Sequence, residues 1–215
     1  MSDRKKVVIA RILLPAGRDS LATEFDLFEG GLDSTPETVE ELARGAHAIV
    51  TDATVPVTEE LLAAAGDQLE LVANFAVGYD NIDLDACRRL GVSVTNTPDV
   101  LTDATAEIAV GLTVAAARGI NEAERRLRAG EWRGWDPSDY LGFELSGATI
   151  GVVGMGRIGQ RYAELMQGFG GEFLYVSREP KELAEVRLGA RKVELKQLLA
   201  ESDVVSLHLP ANPAT

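Results

Sequence analysis

The residues that most clearly indicate chemistry lie in one short segment, Gly154-Met155-Gly156-Arg157-Ile158-Gly159. The segment follows the apolar run 148–153 and precedes residues 160–169, whose apolar spacing predicts a helix. The first glycine permits a tight turn from strand to helix, the second lets the backbone approach a pyrophosphate, and the third lets helix and strand pack closely. The phosphates would lie at the helix N-terminus, near the backbone of Arg157 and Ile158. The strand–turn–helix context therefore predicts a dinucleotide-binding site.

The end of the next predicted strand, 172–176, indicates which ribose the site takes. NAD-selective sites carry Asp or Glu at this point, which binds the 2′-hydroxyl group. This chain has Ser177, which carries no charge to repel a 2′-phosphate, and Arg178, which can pair with one. We therefore predict NADP as the preferred cofactor, with NAD as the other possibility. In the alternative interpretation Arg178 is a solvated surface residue and Glu179 binds the ribose.

Few other residues carry chemistry. We expect the two histidines, His47 and His208, to be structural rather than general acids. The single cysteine, Cys87, excludes an internal disulfide, and we predict no metal site. Acidic residues outnumber basic ones 34 to 21, and the net charge of −13 argues against nucleic acid or an anionic membrane as a partner. Because no signal sequence or membrane-length apolar run is recognisable, we expect a cytoplasmic protein.

An α/β fold must position these residues, because short apolar runs alternate with amphipathic stretches along the whole chain. The apolar runs predict strands at 7–14, 46–51, 69–76, 92–95, 148–153, 172–176 and 203–209. Helical spacing predicts helices at 38–44, 58–65, 83–90, 102–118, 160–169 and 194–201. The alternation predicts parallel sheets with helices on both faces. A length of 215 residues fits one large domain or two small ones.

Two segments depart from this alternation. Residues 102–118 are apolar on most of the helix circumference, which predicts a helix that is buried on most sides. It is either a core helix, or one that crosses between two domains or packs against a second subunit. Residues 130–145 read as a loop with several aromatic residues, among them Trp132, Trp135 and Tyr140. We expect these aromatic side chains to pack the loop against the body of the protein.

Four stretches stand out by their residues and spacing: 74–83 (NFAVGYDNID), 96–107 (NTPDVLTDATAE), 141–159 and 202–210 (SDVVSLHLP). In this order and spacing they resemble the D-isomer-specific 2-hydroxyacid dehydrogenase family, and above all its glyoxylate/hydroxypyruvate reductase branch. The resemblance implies NAD(P)-dependent hydride transfer between the cofactor and a small 2-oxo or 2-hydroxy acid. It also implies two domains. Residues 1–100 would form a flavodoxin-like substrate domain, and residues 101–215 an incomplete, doubly wound Rossmann domain that binds the dinucleotide.

The resemblance also assigns residues. In the family, backbone N–H groups at the positions of Val77 and Gly78 hold the substrate carboxylate, and Thr105 matches a position near the cofactor. The loop at Leu209 and Pro210, after the last predicted strand, is expected to border the adenosine half of the cofactor. We further expect a homodimer formed through the helix region 102–118 in the full-length protein.

The chain departs from the family in one respect. The family uses an Arg that grips the substrate, a His that transfers the proton and an acid that orients the His. All three lie beyond the segment that matches 207–210, so no catalytic residue can be assigned here. We therefore expect a C-terminally truncated reductase that is inactive on its own, with its catalytic residues beyond Thr215. The alternative is a non-catalytic dinucleotide-binding sensor or interaction module.

Overall fold

The structure is a computed structural model that describes residues 4–210 and 215. The described residues form two compact units, one within residues 4–100 and one at Leu101–Leu209. The predicted domains extend further, to residues 1–3 and 211–214, which lie outside the described residues. No helix in the described part of the chain is long and apolar enough to cross a membrane.

The first unit alternates strands and helices from its first strand to its last. The elements are β1 (Lys6–Ile9), α1 (Pro15–Ala22), β2 (Asp26–Glu29), α2 (Pro36–Ala43), β3 (Ala48–Thr51), α3 (Glu59–Ala65), β4 (Leu71–Asn74), α4 (Leu84–Leu90) and β5 (Ser93–Thr95). All strand pairs are parallel, and the sheet order is β2-β1-β3-β4-β5. This is the strand order of flavodoxin-like folds, so the predicted fold class of this part is confirmed.

Polar caps and an apolar face fix the helices of this unit. Thr35, Thr58 and Asp83 each accept a hydrogen bond at the start of α2, α3 and α4, respectively. These three helices cover one face of the sheet, where Val8, Ile49 and other apolar residues form the core. The opposite face is more open, and a groove of about 420 Å³ runs along it beside α1.

The second unit contains a second parallel sheet. Its elements are α5 (Thr102–Ala117), α6 (Ile120–Arg128), β6 (Thr149–Val153), α7 (Arg157–Met166), β7 (Glu172–Val176), α8 (Glu182–Leu188), β8 (Arg191–Lys192), α9 (Leu195–Glu201) and β9 (Val204–Leu207). A short 3-10 turn, Gln167–Phe169, extends α7. The sheet order is β8-β7-β6-β9, which matches the first four strands of the Rossmann order. The predicted Rossmann class is therefore confirmed as well.

Helix α5, predicted at 102–118, is not a core helix of its own unit. Its burial between two domains or against a second subunit stays a prediction. In α5 only Ala106 and Thr113 are buried, whereas Ile108 is 66% exposed and Leu112 61% exposed. The reason is that one side of α5 packs against α7 and β9, while the other side faces away from its own unit.

The loop at 130–145 contains neither helix nor strand, as predicted, but its tryptophans do not pack the loop against the protein. Trp132 is 61% exposed and Trp135 87% exposed. Tyr140 does make a contact, with the Arg126 guanidinium 5.3 Å from its ring centroid. The loop is tied down instead by its C-terminal end, where the Phe143 N–H donates to the Ala117 carbonyl and Leu145 is buried.

Candidate functional site

The glycine turn follows β6 at the carboxyl edge of the second sheet. In that sheet β6 has β7 on one side and β9 on the other. The Gly154 N–H donates to the carbonyl of Val176 at the end of β7 (2.9 Å). On the other side, the His208 N–H donates to the carbonyl of Val153 at the end of β6 (2.8 Å). From β6 the chain first adds β7 and β8 on one side of the sheet and then adds β9 on the other side, so the strand order reverses at β6. Open α/β sheets bind their ligands in the crevice at such a point.

Two of the three glycines are required by close packing. Gly154 has φ +100°, and a Cβ there would come within 2.5 Å of the His208 carbonyl oxygen and 2.8 Å of Leu209 Cδ2. A Cβ on Gly159 would overlap the Gly154 carbonyl oxygen and lie 3.2 Å from Val152 Cγ1. These contacts give Gly154 and Gly159 the packing roles that the spacing predicts.

Gly156 differs from Gly154 and Gly159. It is the N-cap residue of α7 with φ −79°, a value open to any residue, and no atom of the described residues lies within 4 Å of a Cβ built on it. Its lack of a side chain therefore has no packing reason. The space in front of it lies at the N-terminal end of α7, next to Arg157 and Ile158, where a helix presents N–H groups and a partial positive charge to an anion. The site has the form that a dinucleotide pyrophosphate requires.

Thr105 lies on the exposed side of the first turns of α5. Its neighbour Ala106 is buried in the same cluster as Met155 of the glycine turn. The start of α5 is also tied to α7, because Arg161 Nε donates to Asp103 Oδ1 at 2.6 Å. The structure thus brings the start of α5 into the same packed cluster as the glycine turn.

The first residue after β7 is Ser177, which has no carboxylate. Ser177 is half-buried, and its hydroxyl donates to the Glu179 backbone carbonyl. Arg178 is exposed, and its backbone carbonyl accepts from Lys192 Nζ at 3.4 Å. In the described residues the Arg178 guanidinium forms no ion pair, so its charge is available to a ligand. The side chain of Glu179 is also exposed.

A buried polar network behind the turn was missed by the sequence reasoning. Tyr162 of α7 is fully buried, and its hydroxyl lies 2.9 Å from Thr113 Oγ1 of α5, which donates to the Ala109 carbonyl. The His208 ring packs on Tyr162 with centroids 5.0 Å apart, and His208 Nε2 lies 2.9 Å from Ser206 Oγ. The only available signal was the helical spacing of Tyr162, Ala163 and Met166 on the buried face of α7.

Burial shifts the pKa values of two side chains in this network. Burial lowers the pKa of His208 below its usual value and raises the pKa of Tyr162. The imidazole is therefore neutral near pH 7, and it holds the chain just before Leu209 and Pro210 against the glycine turn. Leu209 itself packs beside Gly154.

The other predicted site, Val77 and Gly78, lies in the loop after β4 at the carboxyl edge of the first sheet. Three successive carbonyls of this loop are held by hydrogen bonds. The Ala76 carbonyl accepts from the Thr97 N–H (2.9 Å), and the Val77 carbonyl accepts from Asn96 Nδ2 (2.8 Å). The Gly78 carbonyl accepts from Asn74 Nδ2 (2.8 Å).

The N–H groups of the same three peptides, those of Val77, Gly78 and Tyr79, form no hydrogen bond within residues 4–210. Consecutive N–H groups of this kind form concave anion sites in proteins. The loop is therefore suited to hold a carboxylate. His47 lies far from it within the first unit, because it precedes β3 at the opposite edge of the sheet, where His47 Nδ1 accepts from the Lys6 N–H (3.2 Å).

Comparison with known proteins places these features in a family. Residues 110–215 match the NAD-binding domain of the D-isomer-specific 2-hydroxyacid dehydrogenases. The chain is 48% identical to a glyoxylate reductase of Thermococcus litoralis over 179 residues, which are 81% of this chain and 54% of that protein. It is 43% identical to a glyoxylate reductase of Aeropyrum pernix over 218 residues, which cover 99% of this chain and 65% of that protein.

The fold agrees with a solved relative. The crystal structure of a glyoxylate reductase from Paecilomyes thermophila superposes with a TM-score of 0.83 at 30% identity, covering 99% of this chain and 67% of that one. The chain thus spans 54–65% of the length of the two curated relatives.

Proposed function

We propose that this chain, which belongs to the D-isomer-specific 2-hydroxyacid dehydrogenase family, supplies the cofactor site and the substrate-carboxylate site of a 2-oxo acid reductase. Glyoxylate and hydroxypyruvate are the substrates we expect, and NADPH or NADH the reductant. The observation that carries the proposal is the glycine turn at the point where the strand order reverses, with open space in front of Gly156. Hydride transfer to the 2-oxo carbon is the chemistry that a bound nicotinamide supplies.

The residues of the turn would hold the cofactor through its pyrophosphate. Gly156 leaves room for the phosphates, and the N-terminal end of α7, at Arg157 and Ile158, provides N–H donors and the positive end of the helix dipole. Gly154 and Gly159 keep the turn tight against β6 and so set the position of these donors. Leu209 and Pro210, which follow β9, would border the adenosine half.

NADP is the cofactor we propose as preferred. Arg178 has no ion-pair partner in the described part of the chain, and Ser177 adds no negative charge beside a 2′-phosphate. We expect Arg178→Ala to weaken NADPH binding about tenfold and to leave NADH binding within twofold, since a hydrogen bond to a charged group contributes about 1.5–3 kcal/mol. Ser177→Asp should reverse the preference, because Asp accepts from the 2′-hydroxyl and repels the phosphate.

Fluorescence titration of the chain with each cofactor measures these affinities. Arg187→Ala is the matched control, because Arg187 is an exposed arginine near the far end of α8 and its loss changes the net charge equally. Tighter NADH than NADPH binding by the unmodified chain would overturn the NADP preference. Binding of neither cofactor would overturn the cofactor site itself.

The substrate carboxylate would bind the N–H groups of Val77 and Gly78. Neutral backbone donors suit a chain of net charge −13, because they act at hydrogen-bond range and need no cationic side chain. A Cβ built on Gly78 meets Asp80 Oδ2 at an ordinary contact distance of 3.4 Å, so an added methyl group would fit the fold but would stand beside the N–H groups that we assign to the anion. We therefore expect Gly78→Ala to weaken carboxylate binding.

We infer that neither histidine of the described residues transfers a proton to the substrate. His47 is bonded at the opposite edge of the first sheet, and His208 is occupied by Ser206 and Tyr162. We therefore expect the 215-residue chain to bind NADPH without oxidising it when glyoxylate is added. Absorbance at the reduced-nicotinamide band measures this, and clear turnover would mean that the proton donor lies within these residues.

A second copy of the chain is the partner we propose for α5. Its exposed side carries Ile108 and Leu112, two large apolar residues that water would otherwise surround. Sedimentation velocity should give a dimer for the unmodified chain and a monomer for Leu112→Glu. Leu183→Glu on α8, where Leu183 is 64% exposed, is the control that should remain dimeric.

A further inference from the structure

Two buried or half-buried asparagines hold the loop that we assign to the substrate carboxylate. Asn74, the last residue of β4, donates to the Gly78 carbonyl, and Asn96, just after β5, donates to the Val77 carbonyl, both at 2.8 Å. We propose that Asn96 and Asn74 are positioning residues: Asn96 turns the Gly78 N–H, one of the two donors assigned above, toward a bound carboxylate, and Asn74 turns the adjoining Tyr79 N–H toward it as a third donor. The inference rests on the proposed function, because it concerns the loop that we propose binds the substrate carboxylate.

Peptide geometry connects the two bonds to the two donors. A trans peptide is planar, so its C=O and N–H groups point in opposite directions, and the described residues contain no cis peptide bond. The Val77 carbonyl shares a peptide with the Gly78 N–H, and the Gly78 carbonyl shares one with the Tyr79 N–H. Fixing each carbonyl on an asparagine amide therefore directs the N–H of the same peptide away from that amide.

The orientation of the Asn74 amide follows from its neighbours. Asn81 Nδ2 donates to two backbone carbonyls, those of Asp52 (3.0 Å) and Val55 (2.8 Å), which leaves Asn81 Oδ1 as an acceptor. Asn74 Nδ2 lies 3.3 Å from that oxygen as well as 2.8 Å from the Gly78 carbonyl. Both neighbours are acceptors, so the NH₂ group of Asn74 must face them.

Burial of Asn74 has a cost that its contacts with the loop offset. Asn74 is only 2% exposed, and among the described residues its Oδ1 has no hydrogen-bond partner. An unsatisfied buried acceptor is costly, and the hydrogen bonds that offset this cost are those that Asn74 donates to the Gly78 carbonyl and to Asn81 Oδ1. What Asn74 adds is a neutral donor under the loop, which brings no charge into a site meant for an anion.

Two-dimensional ¹⁵N NMR of the full 215-residue chain tests the inference with glycolate as the probe. In the unmodified chain, glycolate should shift the Gly78 and Tyr79 amide resonances. Asn96→Ala should move both resonances in the free protein and weaken glycolate binding at least tenfold, with the resonances of β1 and β3 unchanged. Asn96→Gln, which keeps an amide donor, should recover part of the affinity, and a role in folding alone would not produce that recovery.

Thr97→Ala is the matched control. It removes a neighbouring polar side chain but keeps the Thr97 N–H that holds the Ala76 carbonyl, so its glycolate affinity should stay within twofold. Asn74→Ala should repeat the effect of Asn96→Ala. If the loss of the buried Asn74 unfolds the chain, the glycolate affinity of the Asn96→Ala variant alone tests the positioning role.

The outcomes separate the two claims. Glycolate binding that shifts Gly78 and Tyr79 equally in the unmodified chain and in Asn96→Ala overturns the positioning role and leaves the carboxylate site intact. No response of Gly78 and Tyr79 in the unmodified chain overturns the carboxylate site, and the positioning role with it.

Discussion

Substitution of Gly156 and of Gly159 by alanine should have opposite consequences, although the two glycines are three residues apart. A Cβ on Gly159 would overlap the Gly154 carbonyl oxygen and lie 3.2 Å from the carbonyl carbon of the same residue. Normal separation requires a backbone displacement of roughly 1 Å. Overpacking of this kind costs about 1–3 kcal/mol, and a helical alanine returns about 1 kcal/mol. Because the clashing atoms are backbone, we expect Gly159→Ala to lower the free energy of unfolding by about 2 kcal/mol.

Gly156→Ala should leave the fold nearly unchanged. Within residues 4–210 nothing lies within 4 Å of the added Cβ, and φ is −79°, so the expected cost is about 0.5 kcal/mol for a poorer N-cap residue. The methyl group instead enters the space that a pyrophosphate needs. Loss of one charge-assisted hydrogen bond, about 1.5–3 kcal/mol, corresponds to roughly 10- to 150-fold weaker binding.

Urea unfolding measures the first quantity and fluorescence titration with NADPH the second. The two variants serve as controls for each other, because each adds the same methyl group to the same turn. A Gly156→Ala protein that is folded and binds NADPH as tightly as the unmodified chain would refute the reasoning, since the phosphates could then not approach this residue.

Three further outcomes follow from the same unit. Tyr162→Phe removes the hydroxyl beside Thr113 and should lower the free energy of unfolding by about 1 kcal/mol, measured in urea against Tyr140→Phe as the control. Burial lowers the pKa of His208 in the folded state, so the unfolded chain takes up a proton first, and stability should be lost as pH falls from about 6.5 toward that lower pKa. The free energy of unfolding of His208→Gln should lack this part of the pH dependence, and identical pH profiles would contradict it. The preference for NADPH over NADH should shrink as salt rises from about 0.01 M to about 0.15 M, because Arg178 is exposed and the Debye length falls from roughly 30 Å to roughly 8 Å; paired titrations at both salts check this.

The buried strands were the most predictable part of the fold. The strand at 172–176 was predicted with the bounds it has in β7, because after the exposed Glu172 the run is buried and apolar or aromatic. The strand predicted at 7–14 ends early, at Ile9, because the chain must leave the sheet before Pro15 begins α1. Apolar pattern thus located the centres of strands, while the ends depended on the turns that follow them.

Elements with little buried surface were missed. The edge strand β2 reads Asp-Leu-Phe-Glu, with both ends charged, and no residue of α1 or α6 is buried. The two-residue strand β8, Arg191–Lys192, is exposed and exists only because it pairs with Leu174 and Tyr175. Such elements are held by neighbours that a local pattern does not contain, so their sequences resemble loops.

The two candidate sites also differ in how far the sequence could predict them. The glycine turn could be predicted because its three glycines lie within six consecutive residues: Gly154 and Gly159 meet local packing demands, and Gly156 leaves open space. The asparagines under the substrate loop could not, since Asn74 and Asn96 are 22 residues apart and meet only because β4 and β5 are neighbours. The signal that existed was positional: an asparagine at or just after the end of two successive strands, at the edge where parallel sheets place their ligands.

The net charge of −13 suits the two proposed sites, whose anion contacts are mostly neutral backbone donors, with Arg178 as the proposed exception. A cationic side chain attracts any anion at long range, but here its field would be offset by the surrounding carboxylates and screened by salt. A backbone N–H acts only on an acceptor that has already reached hydrogen-bond distance, so it is hardly weakened by distant charge. Its direction must then be right, because a hydrogen bond weakens as its donor angle departs from linearity. We propose that Gly154 and Gly159 provide this direction at one site and Asn74 and Asn96 at the other. In an acidic chain, therefore, the residues that orient the backbone carry the recognition of acidic ligands, and substitutions at these residues should matter more than changes to most surface charges.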